Sequence, residues 1–421
     1  MLKHIKFNWQ LIFNGLLLLF RFSGLCPILI SKKKHFCITF MLIIWSVVQL
    51  IGVGVSTEIT VKKFFANPGL ANVNNVLTFS IIMLTHAVTI VESLIVRSNF
   101  IHIWKNVESA DELIKGMVSD FNEIIMKFYK NISIRLTGYI LMTILLELGV
   151  IIRIADDEHW TYMWCICILS LTISRFRHLQ HSLFINVLSC RFRIIKNELE
   201  DIVKLTKLEG NQLIVKNSTF YDGLFDKISS IKKVYNILWE TSLLINRSFG
   251  FSQLANLLQN FIHLTCLLYS TYSFLYYNNF EDLLELVFEI IPILTVVIMV
   301  LKSCEVCLDE VRYIGFLLHN IEKDIDDERI NTLTENFSLQ ILHEPLIFSV
   351  SGFFDMDFMF LKTMIASITT YMVIFIQFMP KTDEPSSNST NITILSANLT
   401  STTPKITTTT TAVALIPSKI S

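Results

Sequence analysis

Charge is what this sequence has least of. Lys, Arg, Asp and Glu make up 17% of its 421 residues and hydrophobic residues 52%, whereas charged residues reach about 25% in soluble domains. With a mean hydropathy of +0.53, the chain carries more apolar surface than one aqueous globule can cover, which excludes the ordinary soluble classes. A net charge of −1 supplies no global attraction to nucleic acid.

Catalytic and metal signatures are also missing. The eight cysteines are scattered. Neither Cys165/Cys167 nor Cys304/Cys307 has the second pair that a tetrahedral metal site requires, so they read as inert. The polar segments contain no phosphate-cradling glycine-rich loop, no Ser/His/Asp set and no zinc spacing, and His178/His181 is a lone pair in a basic stretch. Nothing here points to an enzyme, a metal or a cofactor.

What the chain has is apolar runs. A helix needs about 20 mostly apolar residues to cross about 30 Å of hydrocarbon. Seven segments meet or nearly meet that test: 36–56, 76–96, 134–154, 160–174, 252–277, 284–301 and 357–378. The fourth is short, and its helix is expected to continue through Arg175 and Arg177 toward Leu188. An earlier run, 11–20, follows "MLKHIK", contains Asn14 and lacks a small-residue cleavage site. It reads as an interfacial helix rather than a signal peptide.

Lysine and arginine set the orientation, because cytoplasmic loops hold the excess. They crowd the N-terminal segment, the stretch after the second span and, most densely, the segment from Arg175 through Arg191, Arg193, Lys232 and Lys233 to Arg247. The loops at Asp156 to Glu158 and Asn278 to Glu281 hold acids only; Lys62, Lys63 and Arg153 are the exceptions. The expected fold is all-α: a polytopic membrane protein of seven transmembrane helices, N-terminus cytoplasmic and C-terminus extracellular. Between the spans, segments such as 197–240 place Leu, Ile, Val and Phe among charges at helical intervals, and read as cytoplasmic extensions packing on one another.

The body is expected over 1–378 and a tail over 379–421. The tail begins sequons at Asn388, Asn391 and Asn398 and has a threonine run at 407–411 beside Pro404. It reads as a glycosylated, mucin-like extracellular stalk. Sequons also begin at Asn131, Asn217, Asn246 and Asn336, on the side read as cytoplasmic, so the tail stands out by their density.

Ionisable residues inside spans are costly and face bundle interiors. Glu92, Glu147, Glu285 and Glu289 qualify, with His86 beside them. Glu92 is expected to pair with Arg97 and Glu285 to lie at the outer interface, leaving Glu147 and Glu289 as candidates for a ligand pocket. Aromatics gather at the outer ends of the fourth and fifth spans, with Trp160, Tyr162 and Trp164 on one and Tyr269, Tyr272, Phe274, Tyr276 and Tyr277 on the other. They suit an interfacial belt or an aromatic pocket open to the outside.

The last span poses the sharpest question, because its end, "TTYMVIFIQF", mixes hydroxyls and an amide into an apolar run. Thr363, Ser367, Thr370, Ile374 and Gln377 recur at steps of four, three, four and three, one stripe of a helix, with Tyr371, Phe375 and Phe378 on the next. Such a stripe either packs helices closely or lines water.

These residues resemble the Thr-Tyr, five apolar residues, Gln-Phe signature that ends the last span of insect gustatory receptors. "SGFFDMDFMFLKTMIASI" before it resembles the family's approach to that signature, and "FSGLCPI" the entry to its first span. The resemblance covers the chain up to Phe378; the tail departs from it, since family members usually stop soon after the Gln-Phe pair.

It implies a ligand-gated, cation-permeable channel in the plasma membrane of sensory neurons, opened by a sugar or bitter tastant. Four subunits, identical or mixed with other gustatory receptors, would place the last helix around a central pore. Gln377 and Phe378 would then sit at the constriction, Ile374 would line the same stripe, and Thr370 and Tyr371 would support the helix. The ligand pocket would lie among the second to sixth spans, in their outer half. No intramembrane ring of charge is evident, so weak cation selectivity is expected, with Asp383 and Glu384 enriching cations at the mouth. By span count alone a G-protein-coupled receptor of opposite topology is the alternative. A secondary transporter would show internal repeats, which the chain lacks.

Overall fold

The computed structural model describes residues 9–25, 36–66, 73–154, 158–209, 218–276, 283–321 and 327–377. They form ten α-helices and one short hairpin: α1 Trp9–Phe22, α2 Phe36–Ala66, α3 Val73–Ile95, α4 Arg97–Met117, α5 Phe121–Ile154, α6 Glu158–Glu209, α7 Ser218–Tyr276, α8 Leu283–Ile321, α9 Glu328–His343, β1 Ser349–Val350, β2 Phe354–Asp355 and α10 Phe358–Gln377. The tail and Phe378 lie outside the described residues.

Five of these helices are long and apolar enough to cross a membrane, with candidate spans at Thr39–Ile59, Val76–Ile95, Phe121–Arg153, Leu283–Ile321 and Phe358–Gln377. They carry five of the seven expected spans. The other two fall in α6 and α7, whose sequences interrupt the apolar run with polar residues. Ser170, Ser174, Ser252, Gln253, Asn256, Gln259, Asn260 and His263 are all buried, so these helices turn their polar groups inward.

Helix length explains the rest of the architecture. At 52 and 59 residues, α6 and α7 would be about 78 and 88 Å long if straight, far beyond about 30 Å of hydrocarbon. The inter-span segments are thus continuous extensions of α6, α7 and α8, with α9 packed on α7 and α8. Their shared core includes Phe192, Tyr235 and Phe337, with ring centroids 5.7 Å apart for Phe192–Tyr235 and 5.2 Å for Tyr235–Phe337. α6 and α7 are central to the bundle, α6 touching α3, α5 and α8 and α7 touching α3, α4, α6, α8, α9 and α10.

Part of the dense basic segment is internal, although Arg193, Lys233 and Arg247 are exposed. Arg177 and Arg191 are among the largest fully buried side chains. Arg175 pairs with Glu147, Arg177 with Glu92 at 2.8 Å and Arg191 with Asp111 at 2.8 Å. A spacing count sees only charge, whereas burial gives each of these arginines a carboxylate on a neighbouring helix. Glu92 therefore does not pair with Arg97 as expected. The amphipathic helix α1 buries Phe13, Leu16 and Phe20 and exposes Leu11, Leu18, Leu19 and Phe22. Phe13 meets Tyr129 of α5 with ring centroids 4.6 Å apart.

Just before α10, β1 and β2 pair antiparallel, Val350 opposite Phe354. Ser351 and Gly352 take positive φ values of 50° and 77° in the turn, and the Phe353 N–H donates to the Val350 carbonyl at 2.9 Å. Asp357 then accepts from the Phe360 N–H at 2.8 Å, capping the first turn of α10.

Candidate functional site

Helix α10 is the element on which sequence reasoning placed most weight. Met364 and Ile368 are buried against Leu264 of α7. On the same side the Tyr371 ring meets Phe261 edge-on with centroids 5.9 Å apart, and Phe375 meets Tyr269 at 5.5 Å. Thr363, Thr370 and Gln377 are exposed, Ile374 is 39% exposed, and Ser367 is half-buried.

The two expected stripes thus differ in their surroundings. The aromatic one touches α7, with Tyr371 still 47% exposed, and the polar one is mostly exposed among the described residues, with Ser367 half-buried. Its threonines need no cover, because Thr363 donates to the Met359 carbonyl at 3.0 Å and Thr370 to the Ala366 carbonyl at 3.0 Å. A face of this kind tolerates water or a neighbouring subunit equally well.

A second cluster lies inside the bundle, where α3, α6, α7 and α8 meet. The His86 Nδ1 is 2.9 Å from the Ser170 hydroxyl. Ser174 donates to Asn256 Oδ1 at 2.7 Å, and His263 Nε2 is 3.2 Å from Glu289 Oε2. Along α7, Ser252, Asn256, Gln259 and His263 recur at steps of four, three and four, so one helical stripe delivers them to the interior. Among the described residues, buried atoms without a hydrogen-bond partner here include His86 Nε2, Asn256 Nδ2, Gln259 Oε1 and His263 Nδ1. A buried polar atom left unpaired costs about 1–3 kcal/mol, so this layer has standing capacity for a hydrogen-bonding guest.

Glu147 and Glu289, the two carboxylates singled out from sequence, are both buried, Glu289 against His263 in this layer and Glu147, on α5, against Arg175. Tyr269 is buried and Tyr272 half-buried, stacked with Tyr276 at 6.4 Å. The side chains of Trp160 and Trp164 lie outside the described residues. Sequence reading missed Asn256, Gln259 and His263, which sit in a segment taken for a plain span; their four-three-four spacing was the available signal.

The fold and these two features define a helical membrane protein with a polar interior layer and a last helix largely exposed on one face among the described residues. The 7tm chemosensory receptor profile matches residues 13–381. The chain belongs to the 7tm chemosensory receptor family, and its curated relatives are insect gustatory receptors.

It is 28% identical to gustatory receptor 2a of Drosophila melanogaster over 182 residues, 37% of this chain and 42% of that one. It is 26% identical to gustatory receptor 23a of the same organism over 208 residues, 47% of this chain and 54% of that one. The matched stretches thus span about half the length of these relatives. The fold is similar to that of the insect olfactory receptor OR5 from Machilis hrabei, with a TM-score of 0.65, 11% identity and coverage of 86% of this chain and 97% of the other.

Proposed function

We propose that this chain is a gustatory receptor that works as a tastant-gated, weakly selective cation channel in the plasma membrane of chemosensory neurons. Four subunits, all of this chain or mixed with related receptors, surround a pore lined by α10. Seven spans carry the chain from a cytoplasmic N-terminus to an extracellular, glycosylated tail. The observation that carries this reading is that α10 meets α7 through Met364, Ile368, Tyr371 and Phe375 while Thr363, Thr370, Ile374 and Gln377 are exposed.

In such an assembly four Gln377 amides offer oxygens to a partly hydrated cation, and Ile374 and Phe378 supply apolar rings that close the path by dewetting. The polar layer around His86, Asn256, His263 and Glu289 receives the tastant, whose hydroxyl or amine groups satisfy the unpaired buried atoms. The G-protein-coupled alternative is not favoured by the family match.

The test is electrophysiological. Cells expressing the chain are screened against sugars and bitter alkaloids, and the responding ligand is applied to Gln377→Ala. A changed permeability ratio or gating with normal surface expression supports the pore position. Currents matching the parent in amplitude, selectivity and ligand response refute it.

A further inference from the structure

Glu92 does more than neutralise Arg177. Its two oxygens accept from the backbone N–H groups of Phe251 at 2.8 Å and Ser252 at 3.1 Å, both in mid-α7. Arg177 donates through Nη2 to the Ser248 carbonyl at 2.6 Å and through Nε to the Ser252 hydroxyl at 2.8 Å. In a regular helix the Ser252 N–H serves the Ser248 carbonyl. Here both ends of that link are engaged by one ion pair contributed by α3 and α6. The Arg177 guanidinium also lies 4.2 Å from the centre of the Phe249 ring, so the pair grips residues 248–252 from several sides.

Gly250 lies inside the gripped segment, and it is the seat of the hairpin. A Cβ there would lie 2.5 Å from the Ser351 hydroxyl and 3.3 Å from its backbone nitrogen. One turn earlier, Asn246 donates to the Ile347 carbonyl at 2.6 Å. The hairpin is in turn bound to α10, because Phe354 stacks on Phe360 with centroids 4.4 Å apart and planes 4° from parallel, and Asp357 caps the helix. Few points of adjustment separate Glu92 from the foot of α10.

We propose that the Glu92–Arg177 pair, Gly250 and the Ser351 turn form a positioning linkage through which α3 and α6 set the placement of α10. The same helices line the polar layer, with Asn256 one turn along α7 from Ser252, so a guest there acts on the linkage directly. The consequence for gating rests on the pore reading above; the mechanical linkage does not.

Hydrogen–deuterium exchange on the full chain in detergent micelles separates the two. In Glu92→Gln, residues 349–360 are expected to exchange at least tenfold faster than in the parent, while α9, outside the linkage, is unchanged. Gly250→Ala is expected to do the same, and adding Ser351→Gly, which removes the hydroxyl and leaves only the 3.3 Å approach to the backbone nitrogen, brings exchange back toward the parental value. If Glu92→Gln does not fold, the Gly250 pair decides alone. Parental exchange at 349–360 in folded Glu92→Gln or Gly250→Ala, or a uniform rise including α9, overturns the linkage.

A second experiment reads the pore end. The rate at which a membrane-impermeant methanethiosulfonate modifies Gln377→Cys on intact cells should change at least fivefold when Glu92→Gln is added or, where that variant does not reach the surface, when Gly250→Ala is added. No modification in either background, with altered exchange, refutes the pore reading and leaves the linkage standing. Equal modification rates in both refute transmission to the pore end.

Discussion

Tyr371 and Phe261 meet edge-on, with ring centroids 5.9 Å apart and planes at 76°, while Thr370, one residue earlier, is exposed and returns its hydroxyl to its own helix. Tyr371 is itself 47% exposed, so its ring meets α7 along one edge while the rest of it, like Thr370, is open to whatever surrounds the protomer. Aromatic pairs of this geometry contribute about 0.5–1.5 kcal/mol beyond area burial. A double-mutant cycle of Tyr371→Ala and Phe261→Ala, read by thermal unfolding in detergent, is expected to give a coupling of about 1 kcal/mol. Thr370→Ala should leave the same melting curve unmoved.

Arg177 is fully buried beside Glu92, and removing one partner of such a pair costs about 3–5 kcal/mol because the other charge is left uncompensated. Glu92→Ala is expected to lose most folded, surface-expressed receptor. The double replacement Glu92→Leu with Arg177→Met should recover part of it, measured by surface biotinylation. A Glu92→Ala receptor as abundant as the parent would show that the pair is not structurally required.

In the polar layer, Asn256 and Glu289 should govern tastant potency rather than conduction. Asn256→Ala or Glu289→Gln is expected to shift the half-maximal tastant concentration at least tenfold, about 1.4 kcal/mol. Saturating current should stay within a factor of about two, since neither residue lies on α10. Unchanged dose–response curves for both would move the binding site elsewhere.

The extended end of the bundle offers a pH test. Tyr235 is fully buried between Phe192 and Phe337, and its hydroxyl has no hydrogen-bond partner. Burial, with the Glu344 carboxylate adding to it, holds its phenol well above the usual value. The folded chain then keeps a proton that the unfolded chain loses near pH 10, so stability falls as pH rises through that range. Tyr235→Phe should be as stable as the parent at pH 7 and lose less stability between pH 9 and 11, by thermal shift. A steeper alkaline loss in the variant would contradict the assignment.

Much of this was legible in the residues, because apolar run length and helical stripe are local properties. The expected last span begins one residue before α10, which the described residues carry to Gln377, and Tyr371 and Phe375 meet α7 as their shared stripe suggests. What escaped was pairing across helices. Arg175, Arg177 and Arg191 looked like solvent-facing charge until α5, α3 and α4 brought Glu147, Glu92 and Asp111 to them. Likewise Asn256 and Gln259 are ordinary span interruptions in sequence, and only their burial among α3, α6 and α8 makes them a layer. Local spacing names a face, and tertiary packing decides what meets it.

The central claim is that α10 surrounds a pore. Cryo-electron microscopy of the purified full-length chain in lipid nanodiscs, alone and then co-expressed with a related receptor, tests it most directly. The account predicts four subunits about one axis, four copies of α10 nearest that axis, Thr370 and Gln377 turned toward it and Tyr371 still against Phe261. An assembly in which the Thr370 and Gln377 face of α10 meets lipid in both preparations would contradict it.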